Sequence, residues 1–318
     1  MKKKGLTVAL LLSCATAAAA PALPSTNSDL RALEQNKAQT PQQAELTNTQ
    51  TDSEKLVGGQ SFAVNAINFT SPDSIDAAAY APLVADYVGQ ELTMSQLQQA
   101  ADKVTAYLRS QGYTVATAFI PPQQIKDGVV EIRILLGNLG QVTVNNKSGL
   151  ADTVISSFIS RLHSGTAIKT NELETVLNNL NDLPGVSAAG LLKAGQTVGS
   201  SDLEIIVANK KAVETVLYTD NHGGKYSGRY RYGLQTTIND PGRIGDKFTI
   251  GGTLSNEDMR NYNIGYELPI SGNGSRLGIA YSQMDYTLGD YFSLLDAVGK
   301  AKTFSIYGST PLTNTSSS

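Results

Sequence analysis

Residues 228–238, GRYRYGLQTTI, alternate strictly: Tyr230, Tyr232, Leu234, Thr236 and Ile238 form one series, and Arg229, Arg231, Gly233, Gln235 and Thr237 the other. A period of two marks a strand whose two faces meet different surroundings. The same grammar continues through FTIGGTL, NYNIGYELPI, SRLGIAYSQMDY and KTFSIYG. In the second of these, Tyr262, Ile264, Tyr266, Leu268 and Ile270 share a face, with Asn263, Gly265 and Glu267 opposite. NDPGRIGD and ISGNGS read as tight turns, SNEDMR and TLGDYFSLLDAVGK as longer polar loops. A soluble antiparallel sandwich is one reading. Glycine and small polar residues on the non-apolar face, with alternating short and long connections, favour a transmembrane β-barrel. Tyr230, Tyr232, Tyr262 and Tyr266 then face lipid, and Arg229, Arg231, Gln235 and Glu267 line a wet lumen.

Upstream the period changes. FAVNAINF reads as a strand, residues 75–88 have helical spacing, and Leu97, Ala101, Val104 and Leu108 recur on one helical face. Thr93 is placed to cap that helix and Gly112 to end it. YTVATAFI and VVEIRILLG follow as strands joined by PPQQIKDG, giving the order β-α-α-β-β. That order recurs: LGQVTVNN, a helix over 151–162, a second helix marked by Leu173, Val176, Leu177 and Leu180 and stopped by Pro184 and Gly185, then VSAAGLLKA and SDLEIIVANK. The expected fold is two tandem α+β modules, 61–137 and 138–210, followed by the N-terminal part of an antiparallel barrel over 211–318.

Composition changes this picture at the N-terminus. Lys2, Lys3 and Lys4 precede the apolar run LTVALLLSCATAAAA, so residues 1–20 read as a secretory signal peptide. Cys14, the single cysteine, is alternatively a lipidation site, and leaves no disulfide framework or thiolate chemistry elsewhere. Residues 21–60 read as a short helix over 29–39, which Asn27 or Ser28 can cap and Pro41 stops, followed by a flexible polar linker. The net charge of −3 and the 17% charged residues give no basic footprint for nucleic acid. His163 and His222 are the only histidines and have no ligand spacing, so no metal is expected. No Gly-x-Ser-x-Gly elbow occurs, and GNGSRLG has the wrong spacing and context for a dinucleotide loop. The chain is expected to be neither an enzyme nor a cofactor or nucleotide binder.

The order of export signal, linker helix, two β-α-α-β-β modules and tyrosine-rich barrel resembles the outer-membrane transporters of two-partner secretion, haemolysin-activator type, within the superfamily of POTRA-bearing barrels. DNHGGKYSGRYRYG is similar to that family's first barrel hairpin, NDPGRIGDKFTIGG to its next turn and strand, and IPPQQIKDGVVEIRILLG to the end of its first POTRA module. The resemblance implies a sixteen-stranded barrel in the outer membrane, POTRA modules in the periplasm, and a plug formed by the 29–39 helix. It implies as partners a secreted exoprotein (a large β-helical haemolysin, adhesin or contact-dependent toxin), outer-membrane lipid, and the barrel-assembly machinery during insertion. Residues 212–318 supply only about six strands at ~9–11 residues each, and the family's late-barrel Val/Ile-Arg-Gly-Tyr/Phe motif has no counterpart, so the chain reads as a truncated transporter.

Client recognition is expected at the second strand of each module, over 113–120 and 186–192, by backbone addition of an extended segment. Tyr113, Val115, Thr117, Phe119, Val186 and Ala188 are its candidate residues. The alternative is that neighbouring modules or the linker cover those edges. Two other functions compete: assembly of other outer-membrane proteins, and a soluble periplasmic binding module without transport.

Overall fold

The computed structural model describes residues 46–48, 61–71, 76–287, 294, 298–312 and 314. The export segment and the 29–39 helix lie outside them. Of the linker, one piece is described: strand β1 (Leu46–Asn48).

The first module begins with β2 (Phe62–Val64) and β3 (Ala66–Thr70). The helix expected over 75–88 is a 3-10 helix, Ala77–Tyr87, with Pro82 inside it. Proline lacks the N–H that an α-helix needs at that position and clashes with the carbonyl of the preceding turn, so no regular α-helix runs through Pro82. β4 (Gln90–Leu92) leads into α1 (Met94–Ser110), which carries the expected Thr93 cap as a full capping box with Gln96. This helix buries Leu97, Ala100, Ala101, Val104 and Leu108 against the sheet. Gly112, at φ +91, then turns the chain out of the helix. The sheet is completed by β5 (Thr117–Phe119) and β6 (Val129–Leu135) in the order β3-β6-β5, the first pair parallel and the second antiparallel.

The second module runs β7 (Asn138–Lys147), α2 (Asp152–Ile159), α3 (Thr170–Asn181), β8 (Val186–Ala194) and β9 (Ser200–Asn209). Phe158, Ile155, Leu177, Leu180 and Ile205 form its core. The order β1-β8-β9-β7 makes the linker piece an added parallel strand, with Leu46, Thr47 and Asn48 opposite Gly190, Leu191 and Leu192.

From β10 (Val213–Asp220) the chain is a meander: β11 (Arg231–Asn239), β12 (Lys247–Ser255), β13 (Arg260–Pro269), β14 (Arg276–Thr287) and β15 (Val298–Ser309). All neighbours pair antiparallel in sequence order. SNEDMR, expected as a long loop, is a tight turn closed by Ser255 N–H donating to the Met259 carbonyl at 2.9 Å, with Asp258 at φ +57. The turns over 240–246 and 270–275 abut the second module. Ala151 N–H donates to the Arg243 carbonyl at 2.9 Å, and Asn314 Nδ2 donates to Asn179 Oδ1 and Asp182 Oδ2, both at 2.8 Å. These bonds fix the second module at one end of the sheet.

Candidate translocation wall and client-docking edges

The six-stranded sheet has an inverted burial pattern. On one face Tyr232 is 57% exposed, Leu234 47%, Ile250 48% and Tyr262 51%; on the other Arg231 is 5%, Gln235 8%, Thr253 3% and Asn261 4%. A water-soluble sheet does the opposite, because exposing apolar area costs ~25 cal/mol per Å². Cross-strand register makes the apolar face continuous: Ile264, Tyr281 and Phe304 form one row, and Tyr266, Ile279 and Ile306 the next. Tyr266 belongs to this face, and its hydroxyl donates to Asp246 Oδ2 in the 240–246 turn at 2.6 Å.

The polar face is locked rather than loose. Arg231 Nε and Nη2 reach Asp220 Oδ1 and Oδ2 at 2.8 and 3.1 Å, a forked pair. Glu267 Oε1 lies 3.1 Å from Arg276 Nη1 and 3.9 Å from Lys247 Nζ. Tyr218 and Thr253 share a 2.6 Å hydroxyl bond. Three glycines here sit under a cross-strand tyrosine ring: Gly233 under Tyr218, Gly278 under Tyr307 and Gly299 under Tyr286. Arg229 and Tyr230 do not join the wall. Both are exposed in the connection before β11, where Tyr230 N–H donates to Asn256 Oδ1 at 2.9 Å. Sequence reasoning missed Asp220, Lys247, Arg276 and Tyr218, because their roles depend on cross-strand register that alternation alone does not set.

The client-docking candidates are placed less simply. The strand expected over 113–120 is only Thr117–Phe119. Tyr113 and Val115 lie in the turn before it, where Ala116 N–H donates to the Tyr113 carbonyl at 3.1 Å. Val115 is buried in the core of the second module, not at the edge of the first. Thr117 and Phe119 are half-buried on the edge strand. In the second module Val186 and Ala188 are buried, and the Val186 N–H and both outward groups of Ala188 are already used. Val186 N–H donates to the Leu183 carbonyl at 3.3 Å; Ala188 N–H donates to Asn181 Oδ1 at 3.0 Å, and Asn181 Nδ2 returns to the Ala188 carbonyl at 2.7 Å. The outward edge that carries a strand is Gly190–Leu192, beyond both candidates, and β1 lies on it. Among the described residues no group of three His, Cys, Asp or Glu side chains is placed to hold a metal.

Two tandem modules, the second packed on one end of an apolar-faced sheet, are the arrangement of a POTRA-bearing barrel protein. Residues 62–137 match the family model "POTRA domain, ShlB-type", and residues 199–316 match "Haemolysin secretion/activation protein ShlB/FhaC/HecB". The chain belongs to this haemolysin-secretion family of two-partner secretion transporters. It is 34% identical over 233 residues to the heme/hemopexin transporter protein HuxB of Haemophilus influenzae, covering 71% of this chain and 40% of the relative. It is 25% identical over 249 residues to the outer membrane transporter CdiB of Escherichia coli, covering 76% and 40%. The solved structure of CdiB from Escherichia coli matches 93% of this chain and 57% of that one, with a TM-score of 0.67 at 20% identity, a likeness of fold. The chain thus spans about two-fifths of the length of these curated relatives. Its place is the outer membrane, with the modules in the periplasm.

Proposed function

We propose that this chain forms the periplasmic arm and part of the pore wall of a transporter that secretes a large exoprotein. The observation that carries the reading is the inverted wall: an exposed apolar face of tyrosine, leucine and isoleucine backed by a buried polar face of Arg231, Gln235, Thr253 and Asn261. In this reading lipid covers the Tyr232, Tyr262 and Tyr266 face, and the exoprotein passes along the polar face as an extended chain. HuxB is named for heme/hemopexin and CdiB as an outer membrane transporter. The client here is accordingly a large secreted haemolysin, adhesin or contact-dependent toxin. The barrel-assembly machinery inserts the wall, and no catalysis or nucleotide is involved, so folding of the client outside the cell drives export. The modules hold the client first, and the β1 pairing supports strand addition as the means: the linker occupies an edge that an incoming segment must take over.

Deleting the reading frame in the producing strain tests this. Loss of one large protein from the medium, with normal levels of other outer-membrane proteins, is expected. A general fall in outer-membrane proteins with an unchanged medium supports the assembly-factor reading and sinks secretion.

A further inference from the structure

The two modules close their second-strand edges in the same way, and then differ. In each, the first outward N–H bonds back three residues, Ala116 to Tyr113 and Val186 to Leu183. In each, the next outward residue is an alanine whose N–H donates to a side chain of the second helix. In the first module Ala118 N–H donates to Thr105 Oγ1 at 2.8 Å; the one proton of that hydroxyl goes to the Ala101 carbonyl at 3.0 Å, and the Ala118 carbonyl lies 3.5 Å away. Arg109 Nε adds a bond to the Ala116 carbonyl at 3.2 Å. In the second module Asn181 clamps Ala188. Each alanine N–H is taken by a helix side chain, and in the second module the carbonyl is taken as well, so these edge groups are held shut.

Beyond the clamp the modules part. In the first, β5 ends at Phe119, so the next outward position, Ile120, lies beyond the strand, and the one after it, Pro122, has no N–H to donate. In the second, β8 runs on through Ala194, and outward groups recur at Gly190, Leu192 and Ala194. Strand β1 begins opposite Gly190, where the clamp stops.

We infer that an extended client segment adds only to the second module, on the β8 edge from Gly190 to Ala194, and that Asn181 is the positioning residue that fixes where it starts. This assignment rests on the strand-addition reading above. The Asn181 amide does the work of a strand residue at Ala188, so an incoming segment cannot slide toward Val186 without displacing it. Thr105, Arg109 and the proline pair keep the first module from competing.

Two measurements on the full chain test this. In the first, cysteines replace Thr47 and Leu191, which are register partners, or Thr47 and Ala189. A slip of two residues moves the pair ~7 Å along the strand, past the reach of a disulfide, so oxidation of the second pair is expected to be at least about tenfold slower. Asn181→Ala removes the clamp and should bring the two rates within about threefold, while Asn181→Asp, which keeps the acceptor for Ala188 N–H, should preserve the gap. Equal rates in the parent chain, or a gap unmoved by Asn181→Ala in a folded protein, overturn the clamp. The second uses no Asn181 variant: a synthetic peptide of residues 44–50 carrying a photo-crosslinker is added to a Thr47→Pro chain, whose own linker has lost a strand N–H. Labelling confined to β8 is expected, and labelling on β5 overturns the assignment. Neither measurement needs secretion, so failure of the transport reading registers separately, in the deletion strain.

Discussion

At the scale of single residues, the wall is decided by which groups are paired before any client arrives. Arg231 has the look of a lumen-lining cation in the sequence, yet its side chain is 6% exposed and forked onto Asp220. Removing it leaves a partly buried carboxylate with the His222 N–H but without its cationic partner, at a cost of roughly 1–3 kcal/mol. Arg231→Leu should therefore lower the fraction of heat-modifiable folded barrel, and Asp220→Leu added to it should restore most of the loss. A double variant no more stable than the single one would show that the pair contributes nothing as a pair. Tyr232→Arg acts from the other face: a charge set against hydrocarbon costs ~2–4 kcal/mol near the midplane, and Asp220→Leu should bring no recovery.

At the scale of elements, glycine separates the two faces of the same strands. A Cβ on Gly233 would lie 2.0 Å from Tyr218 Cζ, so any side chain there must lift the ring and break its hydroxyl bond to Thr253. A Cβ on Gly252 would lie 3.4 Å from the Asn261 carbonyl oxygen and 3.7 Å from the Tyr262 ring, near-ordinary contact. Gly233→Ala is expected to destabilise the wall by about 1–3 kcal/mol, as overpacking does, and Gly252→Ala to be within about 0.5 kcal/mol of the parent, as for a surface change. Denaturant midpoints compare them directly. Similar losses at both positions would mean that strand propensity, not the tyrosine ring, sets the requirement.

At the scale of the whole molecule, the two modules share side chains instead of merely touching. Val115, from the turn after α1, belongs to the second module's core, and Thr114 and Thr170 hydroxyls meet at 2.5 Å across the boundary. Thr170 N–H also donates to the Gly112 carbonyl at 2.8 Å. A Cβ on Gly137, at φ +75, would lie 2.2 Å from Val115 Cγ2, so the junction tolerates no larger residue there. Residues 61–210 should accordingly unfold in one calorimetric transition. Val115→Ala, a buried truncation costing about 2 kcal/mol, should move all of it to lower temperature. Two separated transitions, with only one of them shifted by Val115→Ala, would show that the modules are independent domains.

Periodicity in the sequence was enough for the order of the main strands and helices and for the two unlike faces of the sheet, because side-chain direction follows from local backbone geometry; it missed β4 and the division of FAVNAINF into β2 and β3, which pair in different sheets. Thr93 and Gly112 were legible for the same reason: a cap needs only its own turn. Pro82 marked a local departure that helical spacing alone concealed. What the tertiary structure decided is everything that depends on who sits opposite. Register joined Arg231 to Asp220 and set Tyr218 over Gly233. Packing took Val115 from a strand edge into a neighbouring core, and made a strand of Leu46–Asn48 in a linker whose composition promised none. The docking edge moved from Val186 and Ala188 to Gly190 and beyond because Asn181, seven positions before Ala188, reaches back to its backbone. An edge is open or shut according to the partners of its backbone groups, and those partners are fixed only when helix and sheet have packed.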